Sequence, residues 1–354
     1  MHFASFKYNE NPYFDNKKGN GVPDDSEFIK FASLIANSKT ARHHNPSSWT
    51  SAQKSRPRTG TSVHEMRANF ADPEACLKHV FRVRFGQYAP CPDCQKQVKW
   101  YRIRGTRRFG TNCCKRKQIS PLADTLFSFS AIPLEKWFYA LLHFCNASIG
   151  TGPMFLADHL GISRKAAIRM SGRIRAHLSA IDSVRTIGGP GQTVYVDETK
   201  LKNIHDGSAR SDKHLKILSV CDDHEFLIIP ILKGRLTYSS TLFNGRIQAG
   251  SVIKVRAPEV LRRIRGYRPH ESVRGYMTEL APDPFHPLFG QMSVMIIAMK
   301  QFLMRNHIWL SKSHIENYIG HFSFVYRRRH AGRDIYRDAV SMFPIIAKQT
   351  LVGA

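Results

Sequence analysis

The stretch Thr193-Val194-Tyr195-Val196-Asp197-Glu198-Thr199-Lys200 reads as a buried strand rather than a helix. β-Branched and aromatic residues crowd it, and such side chains fit a pleated surface better than a helical turn. The run carries one carboxylate, Asp197, to the end of that strand. A carboxylate placed there has two uses. It can pair with a Lys or Arg as a structural acid, or it can join further acids around a divalent cation, because hard cations take oxygen ligands.

Working outward, three more runs read as strands: 214–221 (HLKILSVC), 225–233 (EFLIIPILK) and 251–256 (SVIKVR). Asp222-Asp223-His224 is the turn between the first two, and 239–248 (SSTLFNGRIQ) is a helical segment before the last. From about residue 291 the pattern is helical, followed by a second helix over 314–329. Three consecutive strands, a helix and a fourth strand form the order of a ribonuclease-H-like fold. Upstream, Ile187-Gly188-Gly189-Pro190-Gly191 reads as a linker.

Before that linker, Pro133–Ala147 and Met154–Leu160 have helical spacing, and Gly161-Ile162-Ser163 makes a tight turn. Ser163 can cap a third helix over 164–179 that carries Arg164, Lys165, Arg169 and Arg173. Two helices around a glycine turn, the second of them basic, form a helix-turn-helix pattern; the alternative is a plain helical hairpin packed in a core. Earlier still, Asp72 and Pro73 open a helix that places Cys76, Leu77, Val80 and Phe81 on one face. It is followed by Cys91-Pro92-Asp93-Cys94, two short strand-like runs and Cys113-Cys114, the layout of a zinc ribbon. Adjacent cysteines rarely both reach one tetrahedral ion. The expected ligands are therefore Cys91, Cys94 and one or both of Cys113 and Cys114, with a metal-free hairpin as the alternative.

Together these readings give an α+β multidomain chain, a zinc-ribbon-like hairpin and helix-turn-helix followed by a ribonuclease-H-like α/β domain. The expected boundaries are a flexible basic arm (1–65, with a short helix over 24–37), a ribbon-like domain (66–130), a helix-turn-helix domain (131–186), a linker (187–192), the α/β domain (193–345) and a tail (346–354).

The chain has 354 residues, with 53 Lys and Arg against 27 Asp and Glu, a formal charge of +26. Such an excess favours a polyanionic partner, because neutralising phosphates releases condensed counterions. A ribosomal or membrane-surface role is the competing explanation. No apolar run approaches the roughly 18 residues of a membrane span, and no apolar leader is seen, so a cytoplasmic protein is expected. The 7 cysteines are odd in number, which favours metal ligation or buried thiols over disulfides.

From about residue 68 to 345 the chain resembles the ISXO-type bacterial insertion-sequence transposases, relatives of the Merlin elements. The resemblance rests on 70–94 (FADPEACLKHVFRVRFGQYAPCPDC), 127–141 (FSFSAIPLEKWFYAL), 160–175 (LGISRKAAIRMSGRIR), Val196-Asp197-Glu198-Thr199 and the segments around Ser311–Ile315 and Tyr318–Tyr326. It implies DNA transposition by two-metal strand cleavage and transfer, with Mg2+ held by three acids. Zn2+ would sit in the ribbon. Double-stranded transposon ends and target would be the partners of a homo-oligomer, away from any membrane. It also implies catalytic positions at Asp197, Arg256, Ser293 and Lys300, and DNA binding through Ser163, Arg164, Lys165, Arg169 and Arg173. The second acid of the family falls on Arg256, the third on Ser293, and a helix Glu on His321. A guanidinium repels a cation and serine is a poor replacement for a carboxylate. The resemblance therefore implies an impaired enzyme, or alternatively a non-enzymatic DNA-binding protein or repressor derived from one. Arg256 is then the natural partner of Asp197, and Glu198, Glu259, Glu279 and Asp283 are the acids available to rescue a metal site. Lys300 either grips a phosphate or lies on a solvated helix face. Phe302, Phe322 and Phe324 read as core. The run Arg327–His330 reads as a solvated charge cluster that would hold phosphates beside a DNA channel.

Overall fold

The computed structural model describes residues 60–86, 88–114, 117–147, 151–183, 185–202, 204–205, 214–231, 246–265, 276–306, 310–311 and 314–346. Most of the basic arm, the helix over 24–37, the greater part of the 239–248 segment, and residues 347–354 lie outside them.

Helix α1 (Val63–Asn69) begins within the stretch expected to be a flexible arm. A capping box explains it: Ser62 Oγ accepts from the Glu65 amide and the Glu65 carboxylate accepts from the Ser62 amide. Helix α2 (Pro73–Phe85) has its Asp72 cap, with Oδ1 2.7 Å from the Ala75 amide, and buries the four residues expected. Strands β1 (Tyr88–Pro90) and β2 (Gln97–Lys99) form an antiparallel hairpin around Cys91 and Cys94. Strands β3 (Tyr101–Arg102), β4 (Phe109–Gly110) and β5 (Gln118–Ile119) form an antiparallel sheet whose last turn holds Cys113 and Cys114. Helices α3 (Leu134–Asn146), α4 (Pro153–Leu160) and α5 (Arg164–Asp182) follow. Gly161 closes α4 in the left-handed conformation, and Ser163 Oγ accepts from the Ala166 amide to open α5.

The glycine-rich 187–192 segment is not a free linker. Ile187 is buried and bridges Ile247, the Gly188 amide donates to Asp222 Oδ2 at 3.1 Å, and the Gly189 amide donates to Ser251 Oγ at 3.0 Å. Gly188 has φ 77°, and a Cβ there would sit 2.7 Å from Val194 Cγ2. Glycine is required here for close approach, which composition alone presents as flexibility.

The remaining elements are β6 (Thr193–Lys202), β7 (Ile204–His205), β8 (His214–Cys221), β9 (Phe226–Ile231), β10 (Val252–Val255), α6 (Pro258–Arg265), β11 (Met277–Leu280), α7 (Pro287–Asn306), β12 (Leu310–Ser311), α8 (Ile315–His330) and α9 (Ile335–Val340). Five strands form one mixed sheet in the order β11-β10-β6-β8-β9. β8 is antiparallel to both β6 and β9, whereas β10 runs parallel to β6 and β11 parallel to β10. One face, with Val194, Val196, Val220 and Val255, packs on Val260 and Ile264 of α6. The other, with Leu201, Leu215 and Ile217, packs on Phe289, Met292 and Met299 of α7 and on α8. β11 and α6 have no counterpart in the sequence reading.

A third core gathers α1 to α5, and it is completed from far along the chain by Phe324, Val325, Ile335, Tyr336, Phe343 and Ile346. Packing therefore does not divide the chain at 187–192. The reason is the contact of α8 with α5. At Gly320 a Cβ would lie 2.8 Å from Ser179 Cα, so a bare backbone lets the two helices meet. Phe302, Phe322 and Phe324 are buried, as expected.

Arg327 and Arg328 are corrected, because both are buried. Arg327 pairs with Asp182 and Glu225, each at 2.8 Å, and Arg328 pairs with Asp338 at 2.9 Å. Two desolvated guanidiniums persist only because carboxylates from α5, the β8–β9 turn and α9 surround them. No helix among the described residues is long and apolar enough to cross a membrane.

Candidate functional site

β6 occupies the middle of the sheet, and its alternation turns Tyr195 and Asp197 toward α7. The parallel register sets Val255 beside Val196, and the Arg256 amide donates to the Val196 carbonyl at 3.2 Å. That register delivers the Arg256 side chain to Asp197. Arg256 Nη1 lies 3.1 Å from Asp197 Oδ2, while Oδ1 accepts from the Glu198 amide at 2.9 Å. Both carboxylate oxygens are thus engaged by the protein. The pair expected from sequence is present, with side chains 33% and 17% exposed for Arg256 and Asp197. At that exposure it contributes on the order of 1 kcal/mol.

The Arg256 guanidinium also lies over the Phe289 ring, 5.3 Å from its centroid. One turn further along α7, exposed Ser293 donates its hydroxyl to the Phe289 carbonyl at 2.9 Å. Arg256 therefore links Asp197 to the Phe289 ring of α7, one turn before Ser293. Lys300 follows on α7, half-buried. His321, where a Glu is expected by resemblance, is buried and its Nε2 lies 3.0 Å from the Phe144 carbonyl. One neighbour had no signal in the sequence. The His286 ring stacks on Tyr195 at 4.3 Å, with Nε2 3.2 Å from the phenol oxygen. His286 precedes α7 in a loop, where periodicity carries no information. Burial raises the Tyr195 pKa.

Among the described residues, the acids expected as substitutes do not join Asp197 in a metal-holding group. Glu198 turns to the opposite face and pairs with Arg263 at 2.7 Å and Lys216 at 3.7 Å. Glu259 pairs with Arg262, Glu279 pairs with Lys254, and Asp283 Oδ1 accepts from the Phe285 amide. Among the described residues, the group of metal-ligating side chains close enough to share an ion is instead Cys91, Cys94, Cys113 and Cys114.

These four thiols lie within 4.8 Å of one another. Of the two alternatives left open by the sequence, one or both of Cys113 and Cys114, the structure brings both into the group. Cys114 has φ 42°, and this left-handed residue bends the chain so that the two sulfurs converge at 3.6 Å. The first knuckle uses the same device at Gln95, φ 57°, with its amide donating to the Cys91 carbonyl at 2.9 Å. Lys117 and Asp93 pair at 3.3 Å and join the two knuckles. The Lys96 amide and then the Cys113 thiol hold Cys94 down at about 7, so one thiolate forms readily. The neighbouring thiols push Cys113 and Cys114 up, so these two stay protonated until a cation displaces their protons. Four cysteine sulfurs within 4.8 Å suit Zn2+, whose ~2.3 Å bonds imply sulfurs about 3.8 Å apart.

On α5, Arg164, Lys165 and Arg169 are exposed, and Ser163 is the helix cap. Arg173 does not belong with them. It is buried and donates to the Ser128 carbonyl, because the 121–130 loop covers that face of the helix. Phe129, in the same loop, is 87% exposed with φ 54°. Comparisons of the chain with family models, curated proteins and solved structures return no match.

Proposed function

We propose that this chain is a DNA-binding protein of insertion-sequence transposase ancestry, of the ISXO type, whose strand-cleavage centre lacks the acids that would hold metal. The observation that carries the reading is the Asp197–Arg256 pair on the central strand of a five-stranded sheet. Support for a ribonuclease-H-like domain comes from the strand order, three consecutive strands and then β10 returning beside the first. Support for a helix-turn-helix comes from α4 and α5 around left-handed Gly161, with Arg164, Lys165 and Arg169 exposed on the second helix. A formal charge of +26 suits double-stranded DNA.

Cleavage and transfer in such a fold use two divalent ions that clamp the attacking and leaving oxygens. Among the described residues, those around Asp197 do not fit Mg2+. Asp197 spends both oxygens on Arg256 and the Glu198 amide, Arg256 brings a fixed positive charge, and the Ser293 hydroxyl is tied to its own helix. The chemistry left to the chain is binding. Arg164, Lys165 and Arg169 can hold phosphates. Cys91, Cys94, Cys113 and Cys114 fit Zn2+, which would close the two knuckles as a structural ion and leave no position open for a reacting group.

A nicking assay with Mg2+ or Mn2+ on DNA from the gene's own flanks tests the reading. The unaltered chain is expected to be silent, and the Arg256→Asp, Ser293→Glu double variant to nick. Activity in the unaltered chain that disappears with Asp197→Ala would overturn it in favour of a working enzyme with substitute acids. The same pair also suits a repressor derived from a transposase. Footprinting on element ends against host promoters separates that use from simple decay.

A further inference from the structure

Phe129 has no part in the function proposed above. It is 87% exposed, more than any other large apolar side chain among the described residues, and its φ of 54° lies where phenylalanine is rarely found. An isolated exposed apolar residue is ordinary. One locked in an unfavourable backbone is not, and held strain of this kind points to a functional position.

The loop fastens Phe129 from both sides. Arg173 donates to the Ser128 carbonyl, Arg107 Nη1 donates to the Ser130 carbonyl at 2.6 Å, and the Trp137 indole donates to Ser130 Oγ at 3.1 Å. Ser128 Oγ donates to the Leu122 carbonyl at 2.9 Å, and Phe127 and Ser128 are themselves buried. The residue therefore stands out from a stiff support. Arg173 is also one turn beyond Arg169 on α5, which sets the loop beside the exposed basic surface of that helix.

We propose that Phe129 is a base-stacking residue, laying its ring on the face of a DNA nucleobase while the adjacent arginines hold the backbone. The inference rests on the DNA-binding reading. An aromatic ring accepts any base, because every base has a π-face, and an apolar wedge at a base step opens the stack. The base can come from a step of the duplex or from an unpaired stretch.

The test uses the full chain with two probes. One is a duplex bearing 2-aminopurine, and the other is the same duplex with the fluorescent base unpaired. Phe129→Ala is expected to weaken binding about tenfold and to abolish the change in 2-aminopurine emission, with Phe129→Trp restoring both. The salt dependence of binding should not change, because no charge is lost. Phe129→Gly adds a readout that a structural role would not give. Its melting temperature should rise as the left-handed strain is relieved, while its binding falls. A larger loss on the unpaired probe assigns the ring to an open base, and an equal loss assigns it to a duplex step. Unchanged binding and emission in Phe129→Ala overturn the inference while leaving DNA binding intact. Failure of the unaltered chain to bind either probe removes the DNA-binding reading and this one with it.

Discussion

At the residue scale, Asp197 gives one carboxylate oxygen to the Arg256 guanidinium and the other to the Glu198 amide. Arg256→Asp should set two carboxylates side by side, where like charges repel. The melting temperature of Arg256→Asp with Ser293→Glu should therefore fall, and should recover when Mg2+ or Mn2+ is added, an effect absent from the unaltered chain. A thermal scan with and without metal reads this, and no recovery would mean the scaffold does not bring the three positions together. The pairing could be anticipated because the resemblance puts Arg256 at the end of the strand expected beside the one that carries Asp197, and the register of those two strands bears that out. The four-cysteine cluster could only be half anticipated. Whether Cys113 and Cys114 converge depends on the φ of Cys114, and composition carries no record of a left-handed residue that is neither Gly nor Asn. Arg173 was misread for a related reason. Helical spacing groups it with Arg169, but the loop that covers it comes from 45 residues away, as its bond to Ser128 records.

At the scale of elements, the hairpins that carry the cysteines are very short. β3, β4 and β5 have two residues each, so they bury little apolar surface of their own. Stripping metal from zinc-loaded protein with a strong chelator should loosen β1 to β5 and expose their amides to hydrogen exchange, while amides of β6 and β8 stay protected. Cys114→Ser should lower zinc affinity but keep a bound ion, and equal protection with and without metal would argue for a metal-free ribbon. The α5–α8 contact gives a second prediction. Gly320→Ala pushes a methyl into the backbone of Ser179, so stability should fall by roughly 1–3 kcal/mol in denaturant unfolding. Ser179→Gly should recover part of that loss, as it clears space at the same contact. The long strands and helices of the sheet were legible from periodicity. β11 was not, since Met277–Leu280 has four residues and only one is even half-buried, which leaves no alternation to read.

At the scale of the whole molecule, the core shared by α1–α5 and the α8–α9 region contains His177, fully buried, with Nε2 2.9 Å from the Ala339 carbonyl. Burial pushes its pKa from 6.5 to about 4, and burial also lowers His79 and His143. The neutral imidazole is the folded form, so the unfolded chain binds more protons between those two values. Stability is full above about 6.5 and is lost as pH falls toward 4, by up to about 3 kcal/mol from His177. His177→Gln should flatten that slope in urea melts taken across this window. Surface charge acts independently. Arg169→Ala should reduce the dependence of DNA binding on salt by about one phosphate contact, whereas Arg173→Ala should act on stability instead. The order of strands and helices was largely readable, but the packing of the first five helices against the chain's last two was not. Nothing in the periodicity of α8 says that its partner lies some 140 residues upstream, the separation of Asp182 from Arg327 being 145.

That shared core bears on how the protein is made. Residues 66–181 leave the ribosome long before Phe324, Tyr336 and Phe343, yet they cannot close their interior until those residues arrive, and the Ile346 amide then donates to the Asp124 carbonyl at 2.8 Å. An interrupted message that ends after β11 would not release a small autonomous DNA-binding fragment to compete with the intact chain. It would release a polypeptide with an open apolar surface, a substrate for chaperones and proteases.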